Sequence, residues 1–177
     1  MKKALLIASV LFIAVISTAC INNIAVQELN NKAAEFMQKG DYESAMNRLE
    51  ASIDLDSSMY ETYYNLGIAA TNAKKYDKAI EAFQNGLKVR ADYANFYYSL
   101  AVAEAEFAEK LLEADKPTEE DKTKANELKT SAIENAKKYL EMNPQAEDRD
   151  DVEDLLEDLL EDLAKEEKEE PTKVLKG

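Results

Sequence analysis

The stretch from Tyr60 to Tyr93, YETYYNLGIAATNAKKYDKAIEAFQNGLKVRADY, decides the fold, because the chain on either side of it repeats it at a spacing of 34 residues. Tyr42 is followed by Tyr76, Ala45 by Ala79 and Leu49 by Phe83. Ala33, Gly67 and Ala101 form a small-residue series, and Leu29, Tyr63 and Tyr97 a bulky one with Asn30, Tyr64 and Tyr98 beside it. A fixed period of this size marks a stacked array, in which each unit buries its apolar face only against its neighbours. Within the quoted unit Tyr63, Leu66 and Ala70 share one helical face, and so do Ala79, Phe83 and Leu87. Each unit is therefore a pair of helices. With 4 Gly, 3 Pro and no Trp, and no strand-length alternation of polar and apolar residues, the chain is expected to be all-α.

Tyr63, Leu66, Gly67, Tyr76, Ala79, Phe83 and Leu87 stand where tetratricopeptide repeats carry their signature residues, and the array resembles that family. The first unit, 26–59, fits through Ala33, Gly40, Tyr42, Ala45, Leu49 and Ile53; Lys32, in the place of Leu66, suits a terminal unit with one open side. Gly67 and Ala79 are small where the two helices of a hairpin approach closely, and Tyr76 fills the wedge between neighbouring units. The third unit begins normally with Tyr97, Leu100 and Ala101, then runs on through Phe107 and Leu111 to about Ala114. Asp115, Lys116 and Pro117 make a turn. Thr118 followed by Asp121 resembles a helix start, and Asn143-Pro144 stops the second helix after Leu128, Ala132, Ala136 and Leu140. From Ala94 to Ala146 this unit has 53 residues, 19 more than the period. Its hairpin is expected to project roughly 10 to 15 Å past its neighbours, at ~1.5 Å per residue.

The chain closes with an amphipathic helix. Val152, Leu155, Leu156, Leu159, Leu160 and Leu163 form its apolar stripe, and between Glu147 and Asp162 there are 10 carboxylates and one base, Arg149. A polar-backed helix of this kind covers the last apolar face of a repeat stack, and its stripe is expected to lie on the second helix of the third unit near Leu128, Ala132, Ala136 and Leu140. The expected architecture over 26–163 is a tetratricopeptide-like helical-hairpin solenoid of two standard repeats, one extended third repeat and a C-terminal capping helix. Residues 164–177 are expected to be a charged, disordered tail, with some helix up to Glu170.

Residues 1–19 read as an export signal: Lys2 and Lys3, an apolar run from Ala4 to Ile16, then Ser17, Thr18 and Ala19. The sole cysteine, Cys20, follows at once, and the segment resembles the lipobox of bacterial lipoproteins. That resemblance implies a diacylglyceryl thioether on Cys20, cleavage after Ala19, and a short tether over 20–25. Two other readings fit the same residues. Ser17 and Ala19 suit an ordinary signal peptidase, which would release a soluble secreted protein. The run without charge from Lys3 to Glu28 is also close to the ~20 residues of a spanning anchor. All three place the repeats outside the cytoplasm, on the cell envelope or beyond it.

The formal charge is −14, which disfavours nucleic acid, since affinity for it depends on basic residues neutralising phosphates. With no histidine, no glycine-rich phosphate loop and one cysteine near the membrane, neither catalysis nor a cofactor is expected. The acidic columns of the last helix lack the glycine-bearing loop of a calcium site and read as a solvated face. The family resemblance implies instead that the first helices of the units line a concave groove for a protein or extended peptide. Carried onto this chain, the lining is Asn30, Ala34, Met37 and Gln38, then Tyr64, Ile68, Thr71 and Asn72, then Tyr98, Val102 and Ala105. Chaperone-docking members clamp a terminal carboxylate with Lys, Asn and Arg, and only the Asn type occurs in this set. The expected function is that of a membrane-tethered scaffold or adaptor in envelope assembly; a small-ligand carrier using the same groove is the alternative.

Overall fold

The computed structural model describes residues 23–169, which form seven helices and no strand. They are α1 (23–38), α2 (Tyr42–Leu55), α3 (Tyr60–Asn72), α4 (Tyr76–Val89), α5 (Asn95–Leu112), α6 (Glu119–Met142) and α7 (Arg149–Glu169). The export signal, Cys20 and the last eight residues lie outside the described residues. α1 already includes 23–25, which the sequence reading placed in the tether, and α7 continues past Leu163 to Glu169.

The first turns follow from backbone chemistry. Gly40 at φ 73° closes α1, its N–H and that of Asp41 donating to the carbonyls of Met37 and Phe36. Left-handed backbone is the usual way to satisfy the last carbonyls of a helix, and glycine enters it at least cost. The Asp41 side chain then accepts from the Ser44 N–H and starts α2. Thr118 and Asp121 form a reciprocal capping box at the head of α6. This is the start signal read from the sequence, with Asp in place of the usual Glu or Gln.

Packing runs hairpin by hairpin. One cluster joins α1 to α5 through Ala33, Met46, Leu49, Leu66, Ala70, Phe83 and Phe96. Gly67 is required there: a Cβ at that position would overlap the Phe83 ring of α4. Gly86 plays the same part towards Phe96, letting α5 lie against α4. One period earlier the corresponding pair is Ser52 and Thr62, both fully buried. Tyr76 is buried and stacks on Phe107 at 5.8 Å between centroids, the wedge expected of it.

The third hairpin is the longest, with α5 running to Leu112 and α6 starting at Glu119. The base of its extra length is braced on the second hairpin. Lys110 Nζ donates to the Lys74 carbonyl at 3.1 Å, Lys124 Nζ lies 4.4 Å over the Phe107 ring, and Phe107, Ala108 and Ala125 are buried. These contacts rest the base of the extension on the α3–α4 turn and the head of α4, and residues 111–123 lie past them.

α7 returns antiparallel along α6. Val152 and Leu159 are buried among Ala132, Ile133, Ala136 and Tyr139, with Leu155, Leu156 and Leu163 half-buried beside them. The capping role holds, with two corrections. Leu160 turns outward at 49% exposure, and Leu128 lies outside this cluster. A stripe built on both i+3 and i+4 steps spans a wide arc, and one neighbouring helix cannot cover all of it.

Candidate functional site

The residues expected to line the groove fall on α1, α3 and α5, the first helices of the three hairpins. Ala34, Gln38 and Asn72 are exposed; Thr71, Val102 and Ala105 are half-buried. None carries a charge. The amide of Asn72 donates to the Ile68 carbonyl, and the Thr71 hydroxyl to that of Gly67, so these polar groups are satisfied within α3.

Four members of the set are held by the fold. The Asn30 amide donates to Ser52 Oγ at 2.8 Å and to the Val26 carbonyl at 2.9 Å, which ties α1 to α2. Met37 and Ile68 pack against the first core cluster. Tyr64 stands edge-on to Tyr93 and Phe96, 5.5 and 5.6 Å away, and 6.0 Å from Phe83. Its hydroxyl lies 3.4 Å from Ser99 Oγ on α5. Helical spacing correctly puts Tyr64 beside Tyr63, but a ring this long reaches past its own face to an aromatic group the 34-residue period does not announce.

Tyr98 behaves differently. Its ring stacks on Tyr139 of α6 at 5.3 Å, and the Tyr139 hydroxyl donates to Asp148 Oδ1 at 2.7 Å. Burial, then the bond to Asp148, pushes the Tyr139 phenol up to about 12. Burial and the negative field of Asp148 and Asp151 raise Tyr98 as well. The strip thus passes from neutral side chains on α1 and α3 to an acidic border where α7 begins.

Two buried ionisable groups escaped the sequence reading. Glu104 on α5 is 3% exposed and accepts from Ser131 Oγ and Asn135 Nδ2 of α6, each at 2.8 Å. Burial raises its carboxyl above the ordinary value. Lys129 on α6 is sealed by α7 and pairs with Asp162 and Glu166. Both interlock helices. Among the described residues no group of three or more acidic, histidine or cysteine side chains is placed to hold a metal ion. No helix among them is long and apolar enough to cross a membrane.

Residues 60–93 match the tetratricopeptide repeat family model. The fold is a tetratricopeptide-like solenoid. Over 60 residues, 34% of this chain, it is 33% identical to small glutamine-rich tetratricopeptide repeat-containing protein 2 of Mycosarcoma maydis, and spans only 17% of that relative. The first tetratricopeptide domain of Spaghetti (RPAP3), solved bound to the HSP90 peptide SRMEEVD, superposes with a TM-score of 0.62 at 16% identity, covering 78% of this chain and 93% of that one. The TPR2B domain of yeast Sti1, in complex with pHsp70, gives 0.63 at 13% identity, over 78% of this chain and 98% of that one. The tetratricopeptide likeness therefore extends across the hairpins, well beyond the single matched unit.

Proposed function

We propose that the chain is an exported, membrane-tethered tetratricopeptide scaffold that binds a protein or extended peptide along the first helices of its hairpins. The carrying observation is the uncharged strip of Ala34, Gln38, Thr71, Asn72, Val102 and Ala105 in a chain whose net charge is −14. Selective lack of charge on one face, in a surface otherwise dense with carboxylates, suits partners whose contacts are apolar and backbone hydrogen bonds. Two solved proteins of similar fold are complexes with other proteins' segments, one with the HSP90 peptide SRMEEVD and one with pHsp70. The strip here has no lysine or arginine to meet a terminal carboxylate, so the proposed ligand is an internal, neutral stretch of a partner. Cys20, following Ser17-Thr18-Ala19, is the proposed lipid attachment site, with the repeats on the envelope side of the membrane. Two acyl chains on one thioether-linked glycerol give stable anchoring.

The test is in-cell photo-crosslinking from Asn72 and Ala34, both exposed, with Glu81 on the outer face of α4 as control. A shared adduct from the first two and none from Glu81 is expected. Equal labelling from all three positions overturns the groove reading. For the tether, Cys20→Ala should accumulate uncleaved precursor and lose acyl labelling; normal cleavage after Ala19 with retained membrane association would remove lipidation as the anchor.

A further inference from the structure

α7 stands where the first helix of a fourth hairpin would stand. α3 packs on α2 before it and α4 after it, and α5 packs on α4 and α6 in the same way. α7 packs on α6, and among the described residues no helix follows it. One flank of its apolar stripe is consequently open. Leu156 is half-buried and Leu160 is 49% exposed, one helical turn apart on the same side. They floor an open, shallow depression bordered by Glu153, Glu157 and Glu161.

Shape and charge together select the occupant. Two leucines at i and i+4 form a straight ridge along a helix, and the element that interdigitates with such a ridge is another helix. The three glutamates also recur at i+4, in a row parallel to the leucines. Arg149 pairs with Glu153 and Lys165 with Glu161, while Glu157 has no partner among the described residues. Asp150, Asp154 and Asp158 add further carboxylates to the exposed side of the same helix. A second copy laid on this face would set one acidic row against another, and opposed like charges are repulsive. A helix with apolar residues on one face, flanked by lysine or arginine, meets both features.

We propose that the Leu156–Leu160 edge of α7 docks a basic amphipathic helix of another protein, which takes the place of the second helix of a fourth hairpin. This surface is separate from the strip on α1, α3 and α5, and stands or falls independently of it.

The experiment uses the full chain in zwitterionic nanodiscs, with empty nanodiscs as background. The probe is a fluorescent synthetic peptide of leucine and lysine, the leucines on one helical face. Its control is a permuted peptide of equal composition with no apolar face. Binding of the first peptide above the second, weakened roughly tenfold by Leu160→Asp as expected for one apolar anchor in a small interface, supports the proposal. Leu160 is half exposed, and circular dichroism checks that the variant keeps its helices. Equal binding of both peptides, or equal binding to wild type and Leu160→Asp, overturns it in favour of general charge attraction. Binding that appears only after removal of residues 170–177 overturns it in favour of the chain's own Lys173-Val174-Leu175-Lys176 segment. Dimerisation in sedimentation that Leu160→Asp abolishes overturns it in favour of a second copy, and absence of binding in every form overturns it outright.

Discussion

Lys74 holds φ 57° at the position where Gly40, one 34-residue period earlier, holds φ 73°. Both close the first helix of a hairpin. The N–H groups of Lys74 and Lys75 donate to the carbonyls of Thr71 and Ala70, as those of Gly40 and Asp41 do to Met37 and Phe36. A residue with a Cβ pays a steric penalty of about 1–2 kcal/mol in this conformation. Glycine avoids it but loses more chain entropy on folding, about 0.5–1 kcal/mol. Lys74→Gly should therefore stabilise the protein by about 0.5 to 1 kcal/mol, and Gly40→Ala should destabilise it. The Lys110 contact survives Lys74→Gly, because it is made to the backbone carbonyl. Urea unfolding of the two variants measures both signs.

Gly67 lies under the Phe83 ring, with no room for a Cβ. Gly67→Ala forces α3 and α4 apart or moves a fully buried ring, at a cost of about 1–3 kcal/mol. In the Phe83→Leu background the same substitution should cost markedly less, because the flat ring is gone. A double-mutant cycle by thermal melting reads the coupling; equal costs in both backgrounds would contradict the packing described.

Lys129 is 6% exposed at its side chain and lies 2.9 Å from Glu166 and 3.4 Å from Asp162. Its acidic partners reach solvent, at 32% and 52% exposure, and can rehydrate when the lysine is lost. Removing one partner of a buried pair is costly when the other charge stays buried, and that cost is largely absent where the remaining carboxylates already reach water. Lys129→Met is thus expected within about 1 kcal/mol of wild type, whereas Lys129→Ala loses the stem and should cost about 2 kcal/mol. Amide exchange of Leu159 and Leu163 should rise in the alanine variant and barely change in the methionine one.

Glu104 gives the protein a pH dependence of definite sign. Its folded-state carboxyl is raised by burial, so in the window just above the ordinary glutamate value the folded state holds more protons than the unfolded. Stability from this group is fully present below the unfolded value and lost as pH rises through the folded one. Glu104→Gln is uncharged throughout and keeps side-chain groups facing Ser131 and Asn135. The stability of wild type relative to Glu104→Gln should fall as pH rises past the ordinary glutamate value of about 4.3 and through the raised folded-state one. A flat difference across that range would place Glu104 in solvent.

The sequence carried the architecture because the period, the capping signals and the small residues at Gly67 and Ala79 all pointed to the same hairpins. Tyr76 was legible as a wedge for the same reason. The candidate strip was legible only in part. Asn30 and Tyr64 lie on the expected helices, but their partners, Ser52 and the Tyr93–Phe96 pair, belong to positions where the units depart from one another, and a period reports only what units share. Lys129 reads as surface by residue type; what buries it is α7 arriving from downstream. The apolar stripe of α7 stops at Leu163, but the helix runs on to Glu169, inside the limit of Glu170 read from the sequence, and exposed pairs such as Lys165 with Glu161 help carry it onward.

The exchange of Gly86 and Phe96 for Ser52 and Thr62 at successive unit boundaries bears on how this array can change length. Each boundary is a lock with its own key. Copying residues 60–93 in tandem would set Gly86 against a second Thr62, leaving a void the size of a phenyl ring; deleting them would press Ser52 onto Phe96. The units look interchangeable when aligned, yet their order is written into the joints. Adding or removing a unit between the described hairpins therefore requires recutting the boundary it disturbs.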